Sequence, residues 1–108
     1  MGRIIDTELN NELRQVMGAD YPRLVQAWMD DARGRMVGLR TALDQQRRTL
    51  IQQQAHALKG SSANLGASEV LVLCSELEVA AVEAPLPSLA ARLELLSQAL
   101  ERAGAELG

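Results

Sequence analysis

One histidine occurs in the 108 residues, His56, and it is followed by Lys59 and Gly60. On a helix, residues three and four positions on are surface neighbours, so the three would share one patch. An imidazole titrates near an ordinary pKa of about 6.5, so at neutral pH it mostly offers one ring nitrogen with a free lone pair. Such a nitrogen can act as a nucleophile. Lys59 adds a fixed positive charge beside it. Gly60 removes the side chain that would obstruct a partner's approach, although a glycine inside a helix costs roughly 0.5–1 kcal/mol relative to alanine. Each feature alone is ordinary on a helix surface. Together they fit a site where a negative group is acquired, and a phosphoryl group on the imidazole accounts for both neighbours.

The elements that must position this patch are helices. Asp6 is placed to cap a short first helix over about 6–18, whose Leu9, Leu13, Val16 and Met17 recur at helical spacing before Gly18. Asp20 and Pro22 mark a second start. Val25, Trp28, Met29, Ala32, Met36, Leu39 and Leu43 then form one face of a helix of about 24 residues, ending near Gln45 or Gln46. Gly34 and Gly38 within it are expected to permit close helix packing, with clearance for docking as the alternative. A connection at Arg47-Arg48-Thr49, with Thr49 as candidate cap, leads to a third helix from about Leu50 to Leu65, stopped by Gly66. Its inward stripe is Ile51, Leu58 and Leu65, with Gln54 and Ser61 or Ser62 between them. His56 lies about 200° around the helix from Leu58 and therefore points outward, flanked by Gln52, Gln53, Lys59, Gly60 and Ala63.

Ser68 is the expected cap of a fourth helix with Val70, Leu73, Cys74, Leu77, Ala80 and Ala81 inward. Pro85-Leu86-Pro87 should break it, with Ser88 capping a fifth. That last helix carries the most regular pattern, Leu89, Leu93, Leu96, Leu100, Ala103 and Leu107. Nothing alternates with a strand period. Long amphipathic helices with short connections imply antiparallel neighbours, so the expected fold is all-α. It is a single domain over 1–108, an antiparallel four-helix bundle over about 20–108 with the short additional N-terminal helix laid against it.

Composition narrows the function classes. Hydrophobic residues make up 47% of the chain, yet Tyr21 and Trp28 are its only aromatics. The net charge of −3 and the lack of stacking aromatics argue against nucleic-acid binding. Residues 1–60 hold nine Lys/Arg against seven Asp/Glu, and residues 61–108 hold two against seven, so a partner with an acidic pocket would favour the half containing His56. Cys74 is the lone cysteine, which excludes an internal disulfide and, with one histidine, leaves too few ligands for zinc. It falls on an inward stripe and reads as a core thiol. A di-iron bundle needs Glu three residues before its histidine, and Gln53 stands there. The chain shows neither a nucleotide-binding glycine loop, nor a membrane-length apolar run, nor, after Met1-Gly2-Arg3, the apolar core of a secretory signal. The expectation is a cytoplasmic monomer with no membrane association.

The stretch Ala55-His56-Ala57-Leu58-Lys59-Gly60-Ser61-Ser62-Ala63-Asn64-Leu65-Gly66-Ala67 resembles the signature of histidine-containing phosphotransfer (HPt) domains of bacterial two-component phosphorelays, approximately H-x-L-K-G-S-S followed by Gly-Ala. Cys74-Ser75-Glu76-Leu77-Glu78 resembles the L-C-x-x-L-E stretch that follows in that family. The likeness is close over the third and fourth helices and elsewhere rests on helix count and length. Where family members often carry Phe near the start of the second helix, this chain has Tyr21 and Trp28.

The resemblance implies that His56 accepts and donates the phosphoryl group, that Lys59 is its charge partner and that Gly60 gives steric clearance. Leu58, Ser61 and Ser62 would pack the helix. The implied partners are receiver domains of hybrid sensor kinases and response regulators, whose aspartates give and take the group. Mg²⁺ would belong to the receiver, so no cofactor is expected on this chain, and without an ATP site it would be a shuttle rather than a kinase. Docking is expected over the exposed face of the third helix, with Arg33, Arg35 and Arg40 of the second adding positive charge. The alternative is a non-catalytic scaffold in which the leucines of the fifth helix bind a partner helix or a second copy.

Overall fold

A computed structural model describes residues 4–107; Met1-Gly2-Arg3 and Gly108, and with them the reading of the chain's start, lie outside the described residues. Five helices follow in order: α1 (Thr7–Met17), a 3-10 turn at Gly18–Asp20, α2 (Tyr21–Asp44), α3 (Arg48–Leu65), α4 (Ser68–Ala80) and α5 (Leu86–Leu107). Among the described residues no strand occurs. α2 packs on α3, α3 on α4, α4 on α5, and α5 returns against α2, which closes a four-helix bundle. Its core is built from Leu, Ile, Val, Met and Ala with Tyr21 and Trp28 at one end.

Helix ends follow local chemistry, with corrections to the expected caps. Asp6 does cap α1, its carboxylate accepting from the Leu9 amide at 3.2 Å, and Gly18 ends it at a φ of 53°. Gly66 stops α3 in the left-handed conformation, φ 73°. Thr49, Ser68 and Ser88, however, all lie inside their helices. α3 begins at Arg48 without a side-chain cap, and Arg48 instead reaches across to donate to the carbonyls of Ala81 and Ala84 at 3.3 and 2.7 Å. Those are orphan carbonyls past the end of α4, so the cation satisfies them. The Pro85-Leu86-Pro87 stretch opens α5 rather than breaking α4. The Pro85 carbonyl accepts from the amides of Ser88 and Leu89, and Pro87 sits in the first turn, where a missing N–H is harmless.

The apolar stripe expected on α1 holds in part: Leu13 and Met17 pack, half-buried, against the core, while Leu9 is exposed. Val16 is 83% exposed, whereas the residue α1 buries is Asn10. Its amide donates to the Tyr21 hydroxyl at 2.7 Å and to the Leu65 carbonyl at 3.2 Å, and its carbonyl accepts from Arg14. Arg14 stacks on the Tyr21 ring at 4.4 Å and donates to the Leu107 carbonyl at 3.0 Å. A polar knot therefore ties α1 to the ends of α2, α3 and α5.

The glycines of α2 also differ from expectation. A Cβ at Gly34 would meet nothing within 4 Å, and one at Gly38 would make only ordinary contact with Gln54. The close approach between helices is at Gly104 of α5, where a Cβ would lie 2.9 Å from the Met29 sulfur.

Candidate functional site

The seven-residue repeat Ile51, Leu58, Leu65 is buried, together with Ala55 and Ser62, and this fixes the rotation of α3. His56 consequently faces outward, its side chain 69% exposed. Gly60 lies one turn further on the same face, and a Cβ there would project into open space. Ser61 donates its hydroxyl to the Leu58 carbonyl at 3.2 Å and Ser62 is buried, so both belong to the packing of the helix. Gln52, Gln53 and Ala63 flank the histidine on α3, Gln53 exposed and the other two half-buried.

A carboxylate from α4 completes the patch. Glu78 places its two oxygens 3.1 and 3.2 Å from Nδ1 of His56, and one of them 2.8 Å from Nζ of Lys59. The hydrogen bond from Lys59 holds the Glu78 carboxyl below the usual carboxylate range; partial desolvation opposes this, and the bond from His56 adds to it. A carboxylate can only accept, so Nδ1 must carry the proton in this geometry. The neutral ring then has its lone pair on Nε2, directed away from Glu78 and toward solvent. Glu78 thus bridges His56 and Lys59 and sets which ring nitrogen is free.

Cys74, one turn before Glu78, is fully buried, and its thiol is pushed up to about 12, chiefly by burial and then by the nearby Glu78 charge, with Lys59 opposing. It stays a neutral core thiol, as its place on the inward stripe implied.

Arg33, Arg35 and Arg40, the three arginines of α2 expected at the docking face, separate. Arg35 turns toward α3, donating to Gln54 at 3.0 Å and to Asp31 at 2.9 Å. Arg33 and Arg40 turn the other way and pair with Glu101 and Glu94 of α5, at 3.2 and 3.8 Å. The structure therefore does not bring those two beside His56. Glu78 is the residue that sequence reasoning passed over. It ends the L-C-x-x-L-E stretch and lies 22 positions beyond His56, and that stretch was its only signal. Among the described residues no group of three or more His, Cys, Asp or Glu is arranged to hold a metal ion, and no helix is long and apolar enough to cross a membrane.

The fold agrees with that of known proteins. Among curated proteins no sequence match is found. Histidine-containing phosphotransfer protein B from Pseudomonas aeruginosa PAO1 superimposes with a TM-score of 0.89 at 27% identity, covering 96% of this chain and 90% of that one. The maize histidine-containing phosphotransfer protein ZmHP2 gives 0.81 at 21% identity, with 96% and 84% covered. The Saccharomyces cerevisiae histidine phosphotransfer signaling protein Ypd1, solved with the receiver domain of its downstream response regulator Ssk1, gives 0.71 at 20% identity, with 97% and 89% covered. The two more distant likenesses show the shared bundle. The family model of the Hpt domain matches residues 23–106, which span α2 to α5 and contain His56, Lys59, Gly60 and Glu78, and the chain belongs to the Hpt domain family.

Proposed function

We propose that this protein is a phosphorelay intermediate, accepting a phosphoryl group on His56 from a receiver-domain aspartate and passing it to the aspartate of a response regulator. The observation that carries this is the ring held at Nδ1 by Glu78, leaving Nε2 open beside the Lys59 cation and the bare backbone of Gly60. The Nε2 lone pair forms the N–P bond as the P–O bond of the aspartyl phosphate breaks, and the aspartate leaves as its carboxylate. Lys59 lies where the incoming charge gathers. The chain supplies position, nucleophile and charge. Mg²⁺ and the acidic pocket would come from the receiver, so this chain needs no cofactor of its own. It works as a monomeric shuttle in the cytoplasm, without kinase activity.

The Ypd1 complex with a receiver domain supports receivers as the partner class. A receiver would cover the exposed face of α3 with Arg35 at its edge. An apolar depression of about 340 Å³ runs beside that face between α1, α2 and α3, lined by Leu13, Leu24, Trp28, Ser61 and Asn64. The Trp28 ring lines this depression, with its indole N–H buried and unpartnered.

The test is intact-mass spectrometry of wild type and His56→Gln after incubation with phosphoramidate and, separately, with a phosphorylated receiver. The expected result is one acid-labile phosphoryl adduct on wild type only. Failure across a broad receiver panel, or an adduct that survives in His56→Gln, would leave the scaffold.

A further inference from the structure

The imidazole of a phosphohistidine must also be a good leaving group, and the same carboxylate bears on that step. This inference rests on the shuttle reading above. When Nε2 attacks phosphorus, the proton on Nδ1 has no need to move, so the product ring carries that proton and a positive charge. When the N–P bond later breaks, its electron pair returns to Nε2 and neutral imidazole departs, again without proton transfer. A ring that has lost the Nδ1 proton would have to leave as imidazolate, a far more basic and poorer leaving group.

We propose that Glu78 is a positioning residue that holds the proton on Nδ1 throughout the cycle and so keeps phosphorylated His56 a ready donor. Its oxygens at 3.1 and 3.2 Å accept that proton's hydrogen bond, and its negative charge favours the cationic phosphorylated ring. Lys59, 2.8 Å from the same carboxylate, works in the opposite sense on the ring but toward the phosphoryl oxygens. The two therefore divide the labour, one holding the leaving group and the other the group in flight.

The other ionisable groups packed around the patch are already committed. Cys74 on α4 stays neutral, and on α2 Arg35 is paired with Asp31 and bonded to Gln54. The carboxylate is also present at working pH, since Lys59 keeps its titration low. A change of charge at position 78 should accordingly be felt at the ring with little masking.

The experiment follows the decay of the phosphoryl adduct on the full chain between about pH 5 and 9, loaded by phosphoramidate or a phosphorylated receiver and read by intact mass. Glu78→Gln keeps an acceptor for Nδ1–H and removes only the charge. At about pH 8 its adduct should decay about threefold more slowly than wild type, the scale an exposed charge pair supports. The two rates should converge in acid, where either ring is protonated. Lys59→Met, which leaves Glu78 and removes the competing cation, should keep fast decay to higher pH than wild type. Coincident pH profiles for wild type and Glu78→Gln, or faster decay in Glu78→Gln, would overturn the role of Glu78 while leaving the shuttle intact. An adduct that forms by neither route on wild type would overturn the shuttle itself.

Discussion

Gly60 contributes no side chain to the core and weakens the helix that carries His56. Because a Cβ at this position meets nothing within 4 Å, Gly60→Ala should stabilise the protein by about 0.5–1 kcal/mol, measured as the shift in urea midpoint. Gly60→Glu should likewise fold, since its side chain has open space, but it would stand one turn from His56 in the path of the receiver. Transfer from a phosphorylated receiver should slow markedly, and a wild-type rate would remove the clearance argument. Glu78 permits a test by pH. Its folded titration lies below its unfolded one, so its favourable contacts are complete above the ordinary carboxylate value and are lost only as pH falls through the lower folded value. Lys59→Ala removes the largest cause and should move that titration upward, followed on the Glu78 carboxyl carbon by NMR. The same variant should slow transfer without abolishing it. His56, Lys59 and Gly60 were legible in sequence because all three lie on one helix, at intervals a 3.6-residue period makes adjacent. Glu78 was not, because its contact crosses between helices, and periodicity gives each helix's inward face without giving the register between two of them.

Among the elements, α1 shows how a spacing pattern can mislead. Leu9, Leu13, Val16 and Met17 keep helical intervals, yet only Leu13 and Met17 of them pack against the core, and the residue fully buried is a polar one, Asn10, bonded to the ends of α2 and α3. The segment before it is tied down by backbone, the Asp6 amide donating to the Gly66 carbonyl at 2.6 Å and the Glu69 amide to the Ile4 carbonyl at 3.3 Å. Asn10→Ala would leave the Tyr21 hydroxyl and the Leu65 carbonyl with one partner fewer in a buried place. A loss of about 1–3 kcal/mol is expected by urea titration. Gly66→Ala should be costly too, for a left-handed φ of 73° and for a Cβ 3.1 Å from the Asp6 carbonyl oxygen. Its expected signature is loss of amide protection at both Asp6 and Asn10; a variant as protected as wild type would show that the turn relaxes freely. The misplaced caps have one cause in common. Thr49, Ser68 and Ser88 have side chains suited to capping, but backbone carbonyls of Arg47, Ala67 and Pro85 accept the first helical bonds one or more residues earlier.

At the scale of the whole molecule, the leucines of α5 decide between shuttle and scaffold. Leu89, Leu93, Leu96, Leu100, Ala103 and Leu107 are all buried in the bundle's own core, so the seam that a partner helix would need is already used. The charge distribution bears on where a receiver would dock. Arg33 and Arg40 bind α5's acids across the α2–α5 seam and offset part of the acidic second half, whereas Arg35 alone borders α3. Charges at the rim of an interface act mainly on the rate of encounter. Arg35→Glu should therefore lower the association rate with a cognate receiver about three- to tenfold at low salt, with the gap closing as salt is added. Arg33→Ala and Arg40→Ala should stay within about twofold of wild type. Stopped-flow association at two ionic strengths separates the cases. Equal losses at all three positions would mean that the receiver straddles α2 and reaches the α5 side, and the docking face would have to be redrawn around α2 instead of α3.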